Sequence, residues 1–113
     1  MAHCPYAQLH DLEPVLRKIR TWPAVREPSP GVFYVRRLPF LHFHIHEDRR
    51  WADARCGLTW GSQLRIDPGS DSAKRERFLK KAERYYRKTA AALGVGGSPR
   101  RQRSARIQAN DER

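Results

Sequence analysis

A chain of 113 residues has room for one domain around a single core and not for a second domain with a core of its own. Its formal charge of +11, from 23 Lys and Arg against 12 Asp and Glu, draws nucleic acid, anionic lipid or acidic proteins without choosing among them, and an Arg-to-Lys ratio of 18 to 5 is a bias that compositional drift also produces. No apolar run approaches the ~18 residues of a membrane span, no basic leader opens the chain, and Cys4 and Cys56 lack metal-type spacing, which points to a soluble cytoplasmic protein with reduced thiols and no membrane partner.

Residues 1–10 read as a short arm. From Asp11 the periodicity turns helical: Leu12, Val15, Leu16, Ile19 and Trp22 follow the spacing of one buried stripe, which predicts a helix over 11–22. Asp11 suits its cap, Pro14 is tolerated in its first turn, and Pro23 stops it. Pro28, Ser29, Pro30 and Gly31 read as a turn into a first strand over 32–36, which places Val32 and Tyr34 on one face and Phe33 and Val35 on the other.

The next strand, 39–46, organises the rest. Alternation puts Leu41, Phe43 and Ile45 on a core face and Phe40, His42, His44 and His46 on the opposite one. Residues 47–50, Glu-Asp-Arg-Arg, read as a polar hairpin tip. The strand over 51–56 then sets small Ala52, Ala54 and Cys56 against Trp51, Asp53 and Arg55, the second set neighbouring the histidines. A loop carrying Trp60 leads to a short fourth strand over 63–66. Ser70, Asp71 and Ser72 offer caps for a second helix over 71–93, with Phe78, Ala82, Tyr85, Tyr86, Thr89 and Leu93 on its broad apolar face and Gly94 as its stop. Residues 94–113 carry too few apolar side chains to fold and read as a disordered basic tail.

The expected architecture is therefore a two-layer α+β sandwich over 11–93, an antiparallel sheet of about four strands with both helices packed on one face. Three function classes stay open. The imidazoles His42, His44 and His46, with Asp53, and with Tyr34, Trp51 and Arg55 as pocket candidates, suit a small-molecule or protein-binding face, or a homodimer interface. The same histidines suit a divalent transition metal in an enzyme site, but residues two apart on one strand stand about 6.5–7 Å apart, so three in a row do not converge and a ligand has to come from another strand. Lys74, Arg77, Lys81, Arg84 and Lys88 form a basic helix stripe which, with tail residues Arg100, Arg101, Arg103 and Arg106, suits salt-sensitive nucleic-acid binding. The chain holds no nucleophile elbow, no glycine-rich phosphate loop and no helix-turn-helix or zinc-finger signature.

The Trp22-Pro23-Ala24-Val25 turn, the His42-Phe43-His44 strand and the helix-strands-helix order over residues 12–86 resemble the small bacterial luciferase-domain proteins and, more distantly, YjbR-like α+β domains. That resemblance implies an α+β fold and carries no catalytic residue onto this chain.

Overall fold

The computed structural model describes residues 2–96. They run through strand β1 (Ala2–His3), a 3-10 segment (Tyr6–Leu12), helix α1 (Glu13–Ile19), strands β2 (Val25–Ser29), β3 (Val32–Val35), β4 (Leu38–His46), β5 (Arg49–Cys56), β6 (Thr59–Trp60) and β7 (Leu64–Arg65), and helix α2 (Ser72–Ala92). Every strand pairing is antiparallel, in an α+β arrangement. Among the described residues no helix is long and apolar enough to cross a membrane.

The β4–β5 hairpin is the centre. Leu41 lies opposite Ala54 and Phe43 opposite Ala52, so bulky side chains face small ones on the buried side and leave volume above the alanines. Rings from α2 fill it: Phe78 sits 5.9 Å from Phe43, and Tyr86 sits 6.1 Å from Phe40 and 5.0 Å from Trp22. Strands β3 and β1 share one edge of β4, and β6 and β7 share the far edge of β5.

The sheet is wider than the four strands expected, for reasons local to each addition. Strand β2 falls on residues read partly as a turn; it is an edge strand, where the missing amide of Pro28 costs no ladder bond. Strands β1 and β6 are two residues each, too short for a period of two to register, whereas β7 is the short fourth strand expected over 63–66, reduced to Leu64–Arg65. The first helix is also shorter than 11–22. Residues 6–12 wind as a 3-10 segment, and the α-helix begins at Glu13 with Pro14 in its first turn.

Phe40 corrects the alternation. Between the Phe33–Leu41 and Tyr34–Pro39 pairs, β4 contributes one residue more than β3, and this bulge turns Phe40 inward beside Leu41, leaving the histidine face to start at His42. Arg50 corrects the hairpin tip. It is 0% exposed, and all five of its guanidinium N–H donors have acceptors. Two fork onto the Asp11 carboxylate at 2.8 and 2.7 Å, and the others reach Gln8 O at 2.6 Å, Ile66 O at 2.8 Å and Asp67 O at 3.4 Å. Asp11, expected as a helix cap, is instead the counter-ion of this arginine, whose hydrogen bonds hold its carboxyl below the usual range. Arg50 thereby pins the 3-10 segment to the corner that follows β7.

Helix α2 matches its expected span to one residue at each end. The Asp71 carboxylate accepts the Lys74 amide at 2.9 Å, Phe78, Ala82, Tyr86, Thr89 and Ala90 are buried, and Gly94 adopts φ 74° at its close. Val95, assigned to the tail by composition, packs against the core and donates its amide to Ala90 O at 2.8 Å. Residues 97–113, with Arg100, Arg101, Arg103 and Arg106, lie outside the described residues.

Candidate functional site

The face of β4 and β5 turned away from Phe43 carries three cross-strand pairs: His42 with Asp53, His44 with Trp51, and His46 with Arg49. Register alone therefore sets a carboxylate opposite the first histidine and an indole opposite the second. Strand β7 extends the middle row, because Arg65 pairs with Trp51 on its other side.

Asp53 joins the first two histidines. Its Oδ2 lies 2.8 Å from His44 Nε2 and 3.4 Å from His42 Nε2, and its Oδ1 accepts from Gln63 Nε2 at 3.0 Å. Facing an ionised carboxylate, His44 Nε2 carries the proton. The two imidazoles meet edge to face at 4.7 Å, Trp60 closes on His42 at 5.4 Å, and Trp51 lies against His44 at 5.7 Å. One ligand atom from each of His42, His44 and Asp53 falls within 4.8 Å of the others. All three residues are half-buried: deep enough to be held in place, open enough to admit a solute.

His46 is not part of this group. Its side chain is 61% exposed, and its Nε2 sits 3.8 Å from Glu47, past the end of the hairpin ladder. Arg55 lies one strand pair beyond Asp53, where Nε donates to Pro39 O at 2.6 Å, Nη1 donates to Leu58 O at 2.8 Å, and the guanidinium covers Trp60 at 4.3 Å. It braces Trp60, the ring next to His42. Tyr34, on β3, lies under the Arg26 guanidinium at 5.1 Å.

Two polar atoms of this face, His44 Nδ1 and Trp51 Nε1, are enclosed without a hydrogen-bond partner. A buried polar atom left unpaired costs about 1–3 kcal/mol, which marks the His44–Trp51 pair as a place where stability has been given up. Next to it, a depression of about 600 Å3 is lined by His46, Arg49, Trp51, Gln63 and Arg65. A second, of about 370 Å3, runs between β7 and α2 and includes Gln63, Arg65, Lys74, Arg77 and Lys81. Arg84 and Lys88 continue along the exposed side of α2.

Gln63, Arg49 and Arg65 carry no signal in the sequence for these positions. Gln63 reaches Asp53 only because β7 returns along β5, a pairing of two residues that periodicity does not reveal. No protein-family model, curated protein or solved structure matches this chain.

Proposed function

We propose that the histidine face is the binding surface of this domain and that His42, His44 and Asp53 hold a divalent transition-metal ion there. The observation that carries the reading is their convergence: three ligand atoms within 4.8 Å, two imidazoles from one strand and a carboxylate from the next. This overcomes the spacing limit of a single strand, since Asp53 takes the place that His46 cannot fill. Two nitrogens and one oxygen suit zinc, iron, cobalt or nickel, and three protein ligands leave coordination positions for water or a ligand entering from solvent. The domain is read as two layers, with the helices on the side opposite the metal. The contacts of Phe78 with Phe43 and of Tyr86 with Phe40 support that layering.

Ligation through Nε2 moves the His44 ring proton to Nδ1, which is enclosed with no acceptor. Metal-bound histidines ordinarily donate this proton, and lack of such a partner weakens metal binding roughly 10- to 100-fold. Titration of purified protein with zinc, cobalt and nickel tests the reading. One ion binds per chain, and at a hundredfold excess over Kd it stabilises the fold by about 2.7 kcal/mol. For a domain of this size that raises Tm by roughly ten degrees. Asp53→Ala removes both effects and His46→Ala keeps them. Stoichiometric uptake that survives loss of Asp53 rejects the site.

A further inference from the structure

The two depressions share Gln63 and Arg65, so they adjoin at β7, one beside the Trp51 indole and the other between β7 and the basic side of α2. Arg49 stands at one end of this track and Lys74, Arg77 and Lys81 line the other. The carboxylates nearest the groove are already engaged. Asp67 receives the Arg65 fork, and Asp71 caps α2 through the Lys74 amide. Five cations thus line a furrow with an aromatic ring in its wall, and Asp67, held by Arg65, is the carboxylate among its lining residues.

We infer that this track binds single-stranded nucleic acid, with phosphates along Arg49, Arg65, Lys74, Arg77 and Lys81 and one base against Trp51. Charge complementarity selects a polyanion. The ring selects a single strand, because an indole in a groove wall stacks on a base only when that base is out of its duplex. Arg65 is already neutralised by Asp67, so the other four cations set the salt dependence. Each phosphate contact to a single strand contributes about 0.7 to the slope of log K against log salt, so the track supplies about 2.8, and affinity falls about fiftyfold between 50 and 200 mM salt. The inference does not rest on the metal: the charges and the ring are present without it.

The test is fluorescence anisotropy of a labelled fifteen-nucleotide thymidine strand and of a fifteen-base-pair duplex, with full-length protein in EDTA. The single strand binds at least tenfold more tightly than the duplex. Arg77→Glu with Lys81→Glu weakens single-strand binding at least tenfold and makes the salt slope shallower by about 1.4, two contacts at the same increment. Arg17→Glu with Lys18→Glu, an equal charge change at exposed positions of α1, leaves affinity within about threefold and the slope unchanged. Trp51→Leu loses about tenfold and Trp51→Phe recovers most of it, as expected of a stacking contact. Circular dichroism confirms that each variant is folded. Equal losses from the α1 and α2 reversals, equal or tighter duplex binding, or no binding at low salt each overturn the inference. Failure here with intact metal uptake leaves the metal reading standing, and the reverse outcome leaves this one.

Discussion

Replacing Asp11 by Asn keeps the shape of the side chain and removes the charge that Arg50 is buried against. Arg50 has no solvent exposure, so its guanidinium has no water to turn to. Stripping one partner from a buried ion pair costs about 3–5 kcal/mol. Here the carboxylate is 35% exposed, so solvent already screens it, and three carbonyl acceptors remain around Arg50. The expected loss is therefore at the lower end, about 3 kcal/mol, a large fraction of the stability of a domain this small. The Asp11 pKa is depressed in the folded state by its hydrogen bonds from Arg50, so the stabilisation is fully present above the ordinary carboxylate value of about 3.9 and is lost as pH falls through the lower folded value. Urea denaturation of both proteins at pH 7 reads the difference, and repetition toward pH 3 reads its decline. A loss below about 1 kcal/mol at pH 7, or a difference that does not shrink in acid, refutes the reasoning.

Gly31→Ala places a Cβ 2.5 Å from Leu9 Cδ1 at a residue with φ 78°, so strain and overpacking add to a loss of at least about 1 kcal/mol in urea denaturation. Tyr86 donates to Pro23 O at 2.6 Å, and burial pushes its phenol up to about 12. Its proton is kept longer folded than unfolded, so stability is full below pH 10 and is lost as pH rises toward 12. Tyr86→Phe removes the phenolate that forms near pH 12 from an ultraviolet titration and costs about 1 kcal/mol. Burial also raises the Cys4 thiol, so a disulfide reagent modifies Cys56 in the native protein well before Cys4, and both react at once in denaturant.

The parts of this fold legible in the sequence are those whose pattern is long relative to its period. Nine residues of β4 and twenty-one of α2 repeat their apolar spacing often enough to fix which faces are buried, and alternation along β5 sets Asp53 on the histidine side, while the register that pairs it with His42 comes from a two-residue turn where the sequence reads four. What escaped was decided by single tertiary events. The bulge at Phe40 is a one-residue insertion relative to β3 and leaves no mark on β4 itself. Arg50 sits in a run of four charged residues and looks like solvent-facing hairpin until Asp11, Gln8, Ile66 and Asp67, all distant in sequence, close around it. The separation of His46 from the cluster has a similar cause, because the turn after it leaves no carboxylate opposite on β5, where Arg49 stands instead.

The most direct measurement of the central proposal is anomalous diffraction at the zinc edge from crystals grown with one equivalent of zinc. The expected map holds a single peak about 2.0–2.2 Å from a nitrogen of His42, a nitrogen of His44 and an oxygen of Asp53. A peak beside His46 and Glu47, or none near Asp53, contradicts it.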